Sequence, residues 1–142
     1  MFIRIDDSIS VSPQITPAQV AEAAAQGVAL IVNNRPDEEE AGQPMGAEIE
    51  AAANAAGIAY RAIPVTHSGF SAHQLAAMNE ALAAANGPVL AYCRSGTRST
   101  YLWALARAQQ GDAPDDLAAK AANAGYDLGG IRGMIDSLAG GR

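Results

Sequence analysis

The residues best suited to chemistry lie between Cys93 and Arg98, in the segment Cys-Arg-Ser-Gly-Thr-Arg. Cys93 is the only cysteine of this 142-residue chain, so it is a candidate nucleophile and cannot form an internal disulfide. Arginines and helix N-terminal amides stabilise the thiolate, which is the reactive form of cysteine. The alternative is a small buried hydrophobic residue, the usual role of a free cysteine. The polar neighbours favour the nucleophile.

The rest of this segment has the residue types of an anion-binding loop. A glycine lets the loop curl so that successive N–H groups point inward, and the planar fork of Arg98 can hold two oxygens of an anionic substrate. We expect Ser99 to cap the following helix and to donate a hydrogen bond to the sulfur when it leaves as a thiolate. The predicted anion-binding residues are Arg94, Ser95, Gly96, Thr97, Ser99 and Arg35.

A strand must deliver Cys93, and the apolar run 89–92 predicts one. Strands and helices alternate over the middle of the chain, which indicates an α/β domain with a mainly parallel central sheet flanked by helices, spanning 1–142 as a single domain. The predicted strands are 2–5, 9–11, 28–32, 58–65 and 89–92. The predicted helices begin at the caps Thr16 and Ser71 and also cover 45–56, 99–110, 112–124 and a short stretch after Asp127, with fraying over 140–142.

A second loop, 33–40, follows the strand 28–32 and contains Arg35, Asp37 and three glutamates. The acidic run is typical of a solvated loop. Open α/β sheets, however, place ligands at the carboxyl ends of their strands. Arg35 can therefore supply another cation to the anion site, with Asn33 holding the loop by hydrogen bonds.

A third loop follows the strand 58–65 and contains His67. No Asp or Glu occurs from Gly57 through Asn79, so His67 is the side chain of this loop best suited to exchange a proton near neutral pH. The alternative is a partly exposed histidine without a chemical role. Asp37, on the neighbouring loop, is a possible substitute acid.

Composition excludes several classes of partner. The formal net charge is −6 and the isoelectric point is near 4.7, which argues against nucleic acid and anionic membrane surfaces as partners. Neither a signal peptide nor a long apolar run is visible, so we expect a cytoplasmic protein. We expect no cofactor and no metal; the predicted partners are a small anionic substrate and an external thiol acceptor.

Four segments together resemble a known family: Cys-Arg-Ser-Gly-Thr-Arg-Ser at 93–99, Asn-Asn-Arg-Pro-Asp at 33–37, Ile-Pro-Val at 63–65 and Ala-Gly-Tyr-Asp-Leu at 124–128. They look like the small bacterial phosphatase-like domain that is also found fused in beta-lactamase-hydrolase-like proteins. The resemblance covers nearly the whole chain. It implies the fold of dual-specificity and tyrosine phosphatases, with the cysteine loop at the carboxyl edge of the sheet.

The chain departs from the tyrosine phosphatase pattern in its loop length. Those enzymes have five residues between the cysteine and the arginine, whereas four separate Cys93 from Arg98. The missing residue removes up to ~3.5 Å of contour from the phosphate cradle. The shorter spacing resembles rhodanese-type sulfurtransferases instead, whose leaving group is already a stable anion and needs little protonation.

The sequence therefore predicts a cysteine-dependent enzyme, with sulfur transfer through a Cys93 persulfide as the main hypothesis. The alternative is a phosphatase that works through a phosphocysteine, with His67 or Asp37 as the acid. A third hypothesis is a non-catalytic anion-binding or interaction module.

Overall fold

The computed structural model describes residues 2–140. The fraying expected at Gly141 and Arg142 lies outside these residues, and Gly140 ends the last helix. In this range no helix is long and apolar enough to cross a membrane.

A five-stranded sheet forms the centre of the described structure. Its order is β1-β2-β5-β3-β4, and every neighbouring pair is parallel except the β1–β2 hairpin. The mainly parallel sheet predicted from the sequence is therefore confirmed. The strands are β1 (Ile3–Asp6), β2 (Ile9–Ser12), β3 (Leu30–Asn33), β4 (Ala59–Ala62) and β5 (Val89–Tyr92).

Helices cover both faces of the sheet. They are α1 (Pro17–Ala25), α2 (Gly46–Ala55), α3 (Ala72–Ala84), α4 (Thr97–Gln109), α5 (Pro114–Asn123) and α6 (Arg132–Gly140), and a 3₁₀ turn covers Gly129–Ile131. Residues of β5 alternate between two cores: Leu90 and Tyr92 pack with α1 and α2, and Val89 and Ala91 pack with the other helices. This double coverage explains why all four β5 residues are buried and apolar.

The local signals for helix starts are confirmed. Thr16 and Ser71 each accept a hydrogen bond from the backbone N–H three residues on, and Gln19 and Gln74 complete the capping boxes.

Several predicted boundaries differ from those of the structure; helix 112–124, for example, is Pro114–Asn123. The strand expected at 28–32 is Leu30–Asn33, and the strand expected at 58–65 is Ala59–Ala62, beyond which the amides of Ile63 and Val65 still donate to the carbonyls of Asn33 and Asn34. Helix α4 begins at Thr97 and not at Ser99, because Gly96 turns the chain with a φ of +92°.

Candidate active site

Cys93 lies at the carboxyl end of the central strand β5, directly before the N-terminus of α4. Its sulfur accepts a hydrogen bond from the Gly96 amide at 3.1 Å. The N–H groups at a helix N-terminus carry partial positive charge and attract anions. The residue is fully buried, so a substrate reaches the sulfur only if surrounding side chains move.

Tyr126 braces the loop from the segment between α5 and α6. Its hydroxyl donates to the Ser95 carbonyl at 3.0 Å, and a Cβ on Gly96 would overlap that hydroxyl. Burial, with the negative charge of Cys93 adding to it, raises the pKa of Tyr126. Reasoning from the residues missed this contact, although Tyr126 belongs to the segment 124–128 that carries the family resemblance.

Ser99 is not the N-cap predicted from the sequence. It lies inside α4, Gly96 is the N-cap, and the Ser99 hydroxyl donates to Asn34 Oδ1 at 2.8 Å. The single hydroxyl hydrogen is thereby directed away from the sulfur. Asn34 also donates to the Ile63 carbonyl at 2.9 Å. This buried asparagine, which the sequence pattern does not single out, joins the loops after β3 and β4 to helix α4.

Arg98 is held by a carboxylate and a carbonyl. Its Nη1 donates to Glu39 Oε2 at 2.6 Å and to the Val65 carbonyl at 2.7 Å, while Nη2 donates to Glu39 Oε1 at 2.8 Å. The hydrogen bonds from Arg98 lower the pKa of Glu39 to about 2, with a further contribution from Arg35. The same pairing raises the pKa of Arg98, and the nearby Cys93 sulfur adds to that shift.

The interpretation of 33–40 as a purely solvated loop is therefore wrong for Glu39 and Arg35. Arg35 is only 3% exposed and donates from Nε to Glu39 Oε1 at 2.9 Å and from Nη1 to Gln14 Oε1 at 3.1 Å. Asn33 anchors the loop as expected, because its Oδ1 accepts from the Arg35 amide at 2.9 Å. Glu39 thus brings Arg35 beside Arg98.

The remaining residues of the 93–98 segment are more exposed than Cys93. The Ser95 hydroxyl donates to Thr97 Oγ1 at 3.0 Å, and the Thr97 amide donates back to Ser95 Oγ at 3.4 Å. The side chain of Arg94 is 67% exposed and pairs with Glu40 at 3.3 Å.

The two candidate acids occupy different surroundings. Asp37 Oδ1 accepts from the amide of Gly46, the first residue of α2, at 2.8 Å. This carboxylate therefore satisfies the first amide of α2, whose N-cap residue is Met45. His67 is exposed on the loop after β4, two residues beyond Val65, whose carbonyl contacts Arg98.

The sequence matches a known protein family over most of its length. Residues 2–110 match the family described as the phosphatase-like domain of the beta-lactamase hydrolase-like protein. The chain belongs to this family. A beta-lactamase hydrolase-like protein of Agrobacterium fabrum is 38% identical over 109 residues, which cover 77% of this chain and 25% of that protein. The chain thus spans about a quarter of that relative's length.

Solved structures agree with the family assignment. A candidate phosphatase from Neisseria meningitidis z2491 has a TM-score of 0.83 and 35% identity, with 96% of each chain covered. TpbA from P. aeruginosa, solved in complex with pTyr, has a TM-score of 0.66 and 18% identity, covering 99% of this chain and 88% of that one. The latter shows the fold alone. The tyrosine phosphatase-like fold predicted from the sequence is confirmed.

Proposed function

We propose that this chain is a cysteine-dependent phosphatase. The proposal rests on the position of the Cys93 sulfur, which accepts a hydrogen bond from the Gly96 amide at the start of α4 and lies close to Arg98. The chain that holds this site belongs to a phosphatase-like family. The comparisons support this alternative better than sulfur transfer, the main hypothesis from the sequence. The substrate class proposed is a small phosphorylated anion.

In the proposed first step, the Cys93 thiolate attacks phosphorus. An S–P bond forms as the P–O bond to the leaving group breaks, and the leaving oxygen keeps the electron pair and takes a proton. In the second step, water attacks phosphorus and the S–P bond breaks. Inorganic phosphate leaves and the thiolate is restored.

The residues around Cys93 have proposed roles in binding the phosphoryl group and in supplying the proton. Arg98 and the amides of the 95–97 loop neutralise the phosphoryl oxygens, and Glu39 holds the guanidinium of Arg98 in place. We propose that His67 supplies the proton, because the Asp37 carboxylate is engaged by the Gly46 amide at the start of α2.

The test offers the protein an aryl phosphate and, separately, thiosulfate with an acceptor thiol. We expect aryl phosphate hydrolysis that Cys93→Ser abolishes. Hydrolysis that survives Cys93→Ser would refute the site assignment. Thiosulfate turnover without phosphate hydrolysis would overturn the phosphatase proposal in favour of sulfur transfer. Neither turnover, with anion binding intact, would indicate a binding module.

The same assay tests the acid. The chain has two histidines, both exposed, so His73→Asn is a matched control for His67→Asn. We expect His67→Asn to lower hydrolysis of poor leaving groups more than of good ones, and His73→Asn to change neither. Equal behaviour of the two variants would exclude His67 as the acid.

A further inference from the structure

Two arginines point at one carboxylate beside the Cys93 loop. Arg94 Nη2 lies 3.3 Å from Glu40 Oε2, and Arg35 Nη2 lies 3.6 Å from Glu40 Oε1. Arg94 directly follows Cys93 in the chain, and Arg35 shares the Glu39 carboxylate with Arg98, so both arginines belong to the surroundings of the proposed phosphate site. The Glu40 carboxylate marks a place where negative charge is favoured.

Arg35 Nη2 is poorly satisfied in this arrangement. It is buried and has no hydrogen-bond partner among the described residues, since 3.6 Å is too long for a hydrogen bond. A buried donor left without a partner is costly, more so when it carries charge. The side chain of Arg35 is 2% exposed, so the guanidinium is fixed and ready for an anion that approaches more closely.

The Glu40 carboxylate is only weakly held between Arg35 and Arg94. Its side chain is 54% exposed and its partner Arg94 is 67% exposed, and ion pairs of this kind contribute little stability. The neighbouring Glu39 is different, because its side chain is 19% exposed and accepts three hydrogen bonds from Arg35 and Arg98. An incoming anion can therefore displace Glu40 without disturbing Glu39.

We propose that a second anionic group of the substrate replaces the Glu40 carboxylate between Arg35 and Arg94. The inference rests on the proposed function, which places the first phosphate at Cys93. The substrate class is then a small molecule with two neighbouring phosphates. A phosphate offers more charge and more acceptor oxygens than a carboxylate, and both favour a guanidinium pair.

The test measures binding of methylphosphonate and of alkane diphosphonates with increasing spacer length to the wild-type protein by calorimetry. These probes are not hydrolysed. We expect the best diphosphonate to bind at least about tenfold more tightly than methylphosphonate, as for one added charge-assisted contact. A gain of no more than about twofold for every spacer, the statistical advantage of two equivalent groups, would overturn the subsite.

Matched variants separate the subsite from general charge. The exposed pair Arg61–Glu80, at 3.1 Å, resembles Arg94–Glu40 but involves neither loop. We expect Arg94→Ala to remove most of the diphosphonate advantage and Glu40→Gln to increase it several-fold. Arg61→Ala and Glu80→Gln should leave the ratio of the two dissociation constants unchanged. Equal effects of Arg94→Ala and Arg61→Ala would contradict the proposal.

Failure of the subsite and failure of the phosphatase proposal give different results. Aryl phosphate hydrolysis without diphosphonate preference overturns the subsite and leaves the phosphatase proposal standing. Diphosphonate preference that Arg94→Ala removes, without any hydrolysis, supports the subsite and overturns the reaction.

Discussion

Glu39 connects Arg98, in the first turn of α4, with Arg35 of the loop after β3. Its carboxylate accepts from both Nη atoms of Arg98 and from Nε of Arg35. A carboxylate shared between two guanidinium groups is favoured only in its ionised form, which is why the pKa of Glu39 falls to about 2. The consequence is a pH-dependent contribution to stability.

Because the pKa of Glu39 is lower in the folded protein than its ordinary value of 4.5, the carboxylate stabilises the fold above about pH 4.5. That stabilisation is lost as the pH falls from about 4.5 through about 2. We expect Glu39→Gln to lower the melting temperature by several degrees near neutral pH, with the difference from wild type shrinking as the pH approaches about 2. Thermal unfolding across this pH range measures it.

Glu38→Gln is the control for this prediction, because it removes the same charge one residue away. We expect it to leave the melting temperature close to that of the wild type. A difference that stays constant with pH for Glu39→Gln, or one that Glu38→Gln reproduces, would contradict the role of Glu39.

At the scale of elements, the junction of β5 and α4 shapes the site. Gly96 has a φ of +92°, which turns the chain from the strand into the helix and directs its amide at the sulfur. The Tyr126 hydroxyl occupies the space where a Cβ on Gly96 would lie. Only glycine fits both the conformation and the space.

Gly96→Ala tests this junction. We expect it to lower aryl phosphate hydrolysis at least about tenfold, because the left-handed conformation costs about 1–2 kcal/mol with a Cβ and the overlap forces Tyr126 or the loop to shift. Gly27→Ala is a matched control remote from Tyr126, since Gly27, just after α1, has a φ of +85° but nothing within 4 Å of its added Cβ. If both variants lose activity equally, backbone strain alone explains the loss and the contact with Tyr126 has no role.

For the molecule as a whole, local patterns predict the elements better than the site. The apolar run of β5 and the capping boxes at Thr16 and Ser71 depend on neighbours in sequence, so they were predicted correctly. The site depends on contacts between distant residues. Ser99 meets Asn34 across 65 positions, and Arg98 meets Glu39 across 59. The residue spacing within the 93–99 segment carries no information about Asn34 or Glu39. For this reason the sequence predicts a capping role for Ser99 that the structure does not show, and it does not predict the contact between Arg98 and Glu39.

Hydrogen bonds join the loops after β3 and β4 to α4, the helix that follows Cys93, so the proposed reaction requires the assembled fold. The central claim is a phosphoryl group carried by Cys93. We expect acid quenching of the wild-type protein during aryl phosphate turnover, followed by peptide mass analysis, to find one added phosphoryl group on Cys93. Cys93→Ser, and wild-type protein unfolded before the substrate is added, should show none. Turnover with no phosphoryl group at Cys93, or a persulfide formed there from thiosulfate in its place, would contradict the account.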